Sequence, residues 1–181
     1  MIFSRFRRSL RPDTISALYG MIVAQARLPC FYREYGVADT VNGRFDLIVL
    51  HLSMLLDRLT QQPALRGLGQ GIFDRFCQDM DQNLREMGVG DLSVPREMQR
   101  MGEAFYGRAR AYKEALRDDH EAVLVQALER NVYGGAKVPA APRLAAYMRE
   151  AVRHLAAQDT SAIAEGILSF PDPIKGFKAA D

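Results

Sequence analysis

Apolar residues recur every three or four positions along almost the whole chain, and this helical spacing is the strongest constraint on its fold. No stretch alternates apolar and polar residues for long enough to predict a strand, and no internal repeat occurs. A chain of 181 residues is the usual size of one domain. The sequence therefore predicts an all-α fold, in a single compact domain of about seven helices.

Prolines, glycines and capping residues divide the first half of this pattern into helices. Pro29 is expected to stop the first helix. Thr40 is a suitable N-cap for the next, which carries the apolar residues 47–59 and should be the most buried element. Residues 61–71 contain Pro63 and three glycines, so they are predicted to form a loop.

The second half divides in the same way. Gly88 is expected to cap the end of a third helix, and Ser93 to cap the start of the fourth. Asp118 and Asp119 break the apolar pattern and separate the fourth helix from a fifth. Two more helices are predicted, and the last starts at Thr160 or Ser161.

The two ends of the chain differ from the helical region between them. We assign residues 1–12 to a basic amphipathic segment, 13–169 to the helical domain and 170–181 to a mobile tail. Segments of the first type bind anionic membrane surfaces weakly. A frayed, charged terminus and a targeting peptide are the alternatives. The residues predicted to touch a membrane surface are Phe3, Arg5, Phe6, Arg7, Arg8 and Arg11.

The overall charge and hydropathy argue against two classes of protein. Lys and Arg number 24 against 22 Asp and Glu, and a net charge of +2 argues against a nucleic-acid partner. The longest apolar stretch, residues 47–56, is interrupted by His51 and Ser53. A membrane-spanning helix needs about 20 mostly apolar residues, so this stretch is not one.

Known catalytic motifs are incomplete in this sequence. His120 and Glu121 begin a zinc-protease motif, but position 124 is Leu where the second His would stand. Two cysteines and three scattered histidines supply no set of zinc ligands. His51 lies in the most apolar helix, where a hydrogen-bonded core histidine is more common than a ligand. We therefore expect a protein that is not an enzyme and that has no metal site and no cofactor.

One alternative remains within the third predicted helix. Asp79, Asn83 and Glu86 fall on one face, where they offer oxygen ligands to a hard cation. A metal-dependent enzyme of unrecognised type is the corresponding function. The competing interpretation is a solvated face on which Asp81 pairs with Arg85 one turn later.

The fourth predicted helix has a surface suited to protein recognition. Between positions 94 and 117 it has six basic residues against three acidic ones, together with Phe105, Tyr106 and Tyr112. Tyr106 follows Phe105 directly, so it lies beside the apolar stripe and is expected at the surface. Tyr and Arg are enriched at the centres of protein interfaces. A core stripe with a solvated basic face is the alternative.

Several blocks of sequence together resemble the ubiquinol–cytochrome c chaperone family. They are Y-G-V at 35–37 and D-T-V at 39–41, G-R-F-D-L at 43–47 and H-L at 51–52, M-D-Q-N-L-R-E-M-G-V-G-D-L-S-V at 80–94, E-A-F-Y-G-R at 103–108 with Tyr112, and N-V-Y-G at 131–134. They occur in order across more than half of the chain. The long central block is the most specific of them.

The resemblance implies a non-enzymatic assembly factor of the cytochrome bc1 complex that binds newly made cytochrome b. Mitochondrial members work with a second assembly factor. The chain starts almost at the domain, with no long presequence, so we expect a bacterial-type member. The expected location is cytoplasmic, peripheral at the inner face of the membrane.

We assign candidate roles to residues of the shared blocks. An apolar and aromatic groove is expected to shield client helices, with Arg108 pairing with polar client ends. The expected client contacts are Phe105, Tyr106, Arg108 and Tyr112. The residues expected to stabilise the fold are Arg44, Asp46, Asp81, Arg85, Glu86 and Asp91.

Overall fold

The computed structural model describes residues 12–175, and within them it contains eight α-helices and no strand. Two of the helices have only five residues. The helices are α1 Pro12–Ala26, α2 Pro29–Arg33, α3 Val41–Thr60, α4 Arg66–Glu86, α5 Val94–Arg117, α6 Glu121–Val132, α7 Ala141–Ala157 and α8 Thr160–Ala164, with a 3-10 turn at Pro63–Leu65 before α4. The predicted all-α fold class is confirmed.

Helix α3 forms the centre of the domain. Twelve of its twenty residues are buried, and it packs against α1, α4, α5, α6 and α7. Thr40 caps it as predicted, because its Oγ1 accepts the N–H of Gly43 at 3.2 Å. The long apolar run therefore forms a helix that is buried on nearly every side, which explains why the run lacks a polar face.

The predicted loop at residues 61–71 is wrong, because α4 already begins at Arg66. The three glycines of this range lie within α4, so they do not form a turn. A Cβ at Gly71 would lie 2.5 Å from Cδ1 of Ile15 in α1, and one at Gly69 would touch Leu59 in α3 at 3.6 Å. The missing side chain at Gly71 therefore lets α4 approach α1 closely, whereas a Cβ at Gly69 would make an ordinary van der Waals contact with α3.

Most of the predicted helix ends agree with the structure, and two differ in detail. Gly88 ends α4 with a φ of 83°, and its N–H bonds to the carbonyl of Arg85 at 3.0 Å. Ser93 precedes α5, but its side chain makes no capping hydrogen bond. Pro29 is the first residue of the short helix α2, so it starts a helix as well as following one.

His51 is a core residue with both ring nitrogens hydrogen-bonded. Its Nδ1 lies 2.7 Å from the carbonyl of Leu47, and its Nε2 lies 2.9 Å from the hydroxyl of Tyr147. A carbonyl only accepts, so Nδ1 carries the proton and Nε2 accepts from Tyr147. Complete burial lowers the pKa of His51 to about 4, so the ring is neutral at pH 7.

Residues 170–175, which were assigned to a mobile tail, pack against the body of the domain. The ring of Phe170 lies 5.2 Å from that of His51, and the hydroxyl of Tyr35 donates to the carbonyl of Pro173 at 2.8 Å. Gln25 donates to the carbonyl of Pro171 at 3.2 Å. Aromatic packing and two carbonyl acceptors therefore connect residues 170–175 to the body of the domain.

The ends of the chain lie outside the described residues. This applies to residues 176–181 of the predicted tail and to residues 1–11, which include every predicted membrane-surface position. Between residues 12 and 175, no helix is both long enough and apolar enough to cross a bilayer.

Gly43 provides a test of this architecture. Because a Cβ at Gly43 would lie 1.9 Å from the carbonyl oxygen of Ala38, Gly43→Ala should push the loop before α3 away from the helix. We expect a loss of about 1–3 kcal/mol in the free energy of unfolding, measured by urea denaturation. Gly102→Ala is the control, because Gly102 lies in α5 with no atom near its Cβ position. It should raise stability by up to about 1 kcal/mol. Equal effects of the two variants would contradict the packing described here.

Candidate functional site

A groove with a volume of about 810 Å³ lies between α4 and α5, with α3 beneath it and α7 along its far side. We call it the client groove. Its inner surface is mainly apolar and aromatic. The apolar residues that line it are Met54, Leu56, Phe73, Phe105, Ala109, Leu116, Met148, Val152 and Ala156. Such a surface suits an apolar segment of a partner better than a small polar substrate.

Three aromatic rings form one end of the client groove. The ring of Phe73 in α4 lies 5.0 Å from Phe105 and 5.5 Å from Tyr106 in α5. Phe105 is buried beneath, whereas Tyr106 is 63% exposed. The predicted surface position of Tyr106 is thus confirmed, and its ring is supported from below by two others.

The edge of the client groove is strongly basic. Among the described residues, Asp57 is the only acidic one that lines it, and its Oδ1 pairs with Nζ of Lys113 at 2.5 Å, which connects α3 with α5. The basic residues of the lining are Arg58, Arg66, Arg110, Lys113 and Arg117. An apolar inner surface with a cationic edge complements an apolar segment that carries carboxylates at its ends.

The four predicted client contacts do not share one surface. Tyr106 is exposed at the client groove, while Phe105 and Tyr112 form part of its buried wall. Arg108 lies on a different face of α5 and pairs with Asp46 of α3, with Nη2 2.9 Å from Oδ1. Direct client contact by these four residues therefore stays a prediction, and Tyr106 is the best placed of them.

Asp46 is the buried member of the predicted stabilising set. It is 7% exposed, and burial raises the pKa of its carboxyl to about 6, although the Arg108 guanidinium beside it acts in the opposite direction. Arg108 also lies over the ring of Phe45 at 5.7 Å. Removing one partner of such a pair leaves the other charge without compensation in a poorly solvated place.

The other predicted stabilising residues form exposed pairs. Arg85 pairs with Asp81 at 2.7 Å and with Asp91, so it connects the end of α4 to the following turn. Arg44 pairs with Asp39 at 2.8 Å. Glu86 accepts a hydrogen bond from Gln82 at 2.8 Å. Exposed ion pairs contribute little individually, about 0–1 kcal/mol each.

Two of the three candidate cation ligands on α4, Asp79 and Glu86, have other hydrogen-bond partners. Asp79 accepts the hydroxyl of Tyr19 at 2.8 Å, which ties α4 to α1, and Glu86 bonds to Gln82 as described. Across residues 12–175, no three His, Cys, Asp or Glu side chains are grouped closely enough to hold a metal ion.

The sequence profile described as ubiquinol–cytochrome C chaperone matches residues 33–170, which is most of the chain. This range includes both walls of the client groove and the Asp46–Arg108 pair. The chain belongs to the ubiquinol–cytochrome c chaperone family. The resemblance carried by the sequence blocks is therefore confirmed.

Two relatives of this chaperone support the assignment. The crystal structure of the Cbp3 homolog from Brucella abortus is 37% identical, with a TM-score of 0.84, and the match covers 96% of this chain and 98% of that one. Ubiquinol-cytochrome-c reductase complex assembly factor 1 of Xenopus laevis is 29% identical over 103 residues. That match covers 56% of this chain, and the chain spans about half of the length of this curated relative.

Sequence reasoning located the part of the chaperone's groove that α5 lines and missed the part that α7 lines. The apolar stripe of α7, which includes Met148 and Val152, predicts a core helix, and periodicity does not show that part of the stripe faces a groove. The basic edge residues come from three different helices. Only the tertiary arrangement brings them together.

The Asp46–Arg108 pair predicts a specific dependence of stability on pH. Between pH 4 and 6 the folded protein holds the Asp46 proton more tightly than the unfolded chain does, so the contribution of this carboxyl to stability falls as pH rises through that window. Arg108→Met removes the compensating cation. It should therefore cost on the order of 3 kcal/mol at pH 7.5 and much less at pH 5.

Urea denaturation at the two pH values measures this effect. In the double variant Asp46→Asn plus Arg108→Met, the pH-dependent part of the loss should disappear. Arg110→Met is the matched control, because Arg110 forms an exposed pair with Glu114 on the same helix and should change stability by less than about 1 kcal/mol. A loss for Arg108→Met that is equal at both pH values would contradict the interpretation.

Proposed function

We propose that this protein is a non-enzymatic assembly chaperone of the cytochrome bc1 complex, respiratory complex III, and that it holds newly made cytochrome b through the client groove. The observation that carries the proposal is the groove itself, an apolar trough of about 810 Å³ with a basic edge. Family membership supplies the client class, because the family is described as ubiquinol–cytochrome c chaperones.

The dimensions and chemistry of the client groove fit one hydrophobic helix or part of one. A helix with its side chains is about 10 Å wide, and a membrane-spanning helix released early has no lipid to cover it. Tyr106, Phe73 and Leu116 would cover part of such a helix, since apolar surface removed from water stabilises the contact. Tyr106 presents a large ring with little conformational entropy to lose.

The basic edge would orient the client. Lysine and arginine side chains lie with their stems along apolar surface and their charged ends in water, so they extend the covered area as well as the charge. The Lys113–Asp57 pair is partly exposed, so its disruption costs about 1 kcal/mol or less. A client carboxylate would replace Asp57 at Lys113 and free the groove for an apolar segment.

The remaining parts of the proposal concern location and partners. We place the chaperone peripherally at the cytoplasmic, inner face of the membrane, with the basic residues of 1–12 in contact with anionic lipid. A second assembly factor is a further proposed partner. No nucleic acid is involved, which agrees with a net charge of only +2.

A complementation experiment tests this function. In a host whose own gene is deleted, wild-type protein should restore bc1-type cytochrome b in reduced-minus-oxidised spectra of the membranes. Ala109→Arg, which places a long charged side chain inside the client groove, should restore much less. The control is Leu92→Arg, because Leu92 is 98% exposed in the turn between α4 and α5, outside the groove. It should complement as well as the wild type.

Three results would decide against the proposal. Deletion that leaves cytochrome b unchanged would exclude the assembly role. Full complementation by Ala109→Arg would exclude the client groove, provided that its thermal unfolding matches that of the wild type. An activity that requires added Mg²⁺ or Fe²⁺ and is lost in Asp79→Asn would favour the metal-dependent alternative.

A further inference from the structure

A second cavity, of about 630 Å³, lies apart from the client groove. It is enclosed by residues 36–43 at the start of α3, by one face of α5 and by the end of α6. We call it the arginine cavity. Helix α5 turns Tyr106 and Lys113 toward the groove but Arg100 and Arg108 toward the arginine cavity, so the two sites use different faces of one helix.

Two buried hydrogen-bond donors of this cavity lack acceptors among the described residues. They are Nε of Arg108 and Nδ2 of Asn131. Asp46 is the only acidic residue among the described residues of the lining; its Oδ1 forms an ion pair with Nη2 of Arg108 at 2.9 Å but, like the two donors, is buried without a well-oriented hydrogen bond. An unsatisfied buried donor costs about 1–3 kcal/mol, so the cavity favours a group that brings oxygen acceptors.

The charge of the lining also favours a ligand with oxygen acceptors. Arg100 and Arg130 are both exposed at the cavity and join Arg108, so three arginines face one aspartate. Arg100 has one exposed ionic contact, to Glu97 at 3.2 Å, which is easily given up. Guanidinium groups pair with the two oxygens of a carboxylate or phosphate in a planar, bidentate way.

Part of the remaining lining is apolar. Phe45, Met101 and Val138 contribute apolar side chains. A bare inorganic ion would make no apolar contact with them. The volume also exceeds what a small ion needs. A ligand with an oxyanion at one end and an apolar body at the other matches both parts of the cavity.

We propose that the arginine cavity is a binding site for an organic oxyanion, a carboxylate on an apolar body. Arg108 and Asn131 bond to the oxygens, Arg100 and Arg130 lie at the entrance, and the apolar body packs on Phe45 and Met101. The sequence blocks at 35–47, 103–108 and 131–134, which the client groove leaves mostly unused, supply most of this lining. The site does not depend on the proposed client.

Isothermal titration of the full chain with octanoate tests the site. We expect octanoate to bind at least ten times more tightly than acetate, because acetate lacks the apolar body. The double variant Arg100→Gln plus Arg130→Gln should weaken octanoate binding at least tenfold. Both arginines are exposed, so this variant should fold normally.

The matched control carries the same two changes on the client groove. Arg110→Gln plus Arg117→Gln removes the same total charge, from α5 alone instead of from α5 and α6, and it should leave octanoate affinity within twofold of the wild type. Equal weakening by the two double variants would show nonspecific attraction to positive charge and overturn the site. If acetate binds as tightly as octanoate, the proposed packing of an apolar body on Phe45 and Met101 is wrong. If octanoate gives no saturable heat, the proposal as a whole is wrong.

Discussion

The burial of α3 on almost every side is the constraint on which the rest of the structure depends. Burying a polar side chain in such a helix is costly unless it has a partner, and α3 buries two ionisable ones, Asp46 and His51. Each contacts an outer helix: Asp46 forms an ion pair with Arg108 of α5, and His51 hydrogen-bonds to Tyr147 of α7. These two contacts connect α3 to α5 and α7, which are two of the helices that line the client groove. The C-terminal residues pack on the same network through Phe170.

Local patterns predicted most of the fold because the helix signals are local in origin. The spacing of apolar residues, the Thr40 cap and the left-handed Gly88 act within one or two turns, so they can be recognised without the tertiary structure. The loop predicted at 61–71 is wrong because its glycines lie in a helix, where a glycine allows close packing against another part of the fold. Gly71 makes room for Ile15, which lies 56 positions earlier in the chain, and a glycine composition alone does not distinguish such packing from a turn.

The candidate site was predictable only in part, for a related reason. Tyr106 could be placed at the surface because it follows the core residue Phe105 directly. Arg108 was assigned to client contact as the arginine of the same sequence block, but 200° of helical rotation from Tyr106 turns it to another face, where Asp46 lies. We propose separable tasks for these two faces of α5, a groove for an apolar segment on one and an arginine cavity for an oxyanion on the other.

Site-specific photocrosslinking tests the central claim most directly. A photoreactive phenylalanine analogue at position 106 lies against the aromatic end of the client groove, whereas the same analogue at position 92 lies on the exposed turn between α4 and α5. In cells with the bc1 complex under assembly, the account predicts a cytochrome b adduct from position 106 and none from position 92. No cytochrome b adduct at position 106, or equal adducts at the two positions, would contradict it.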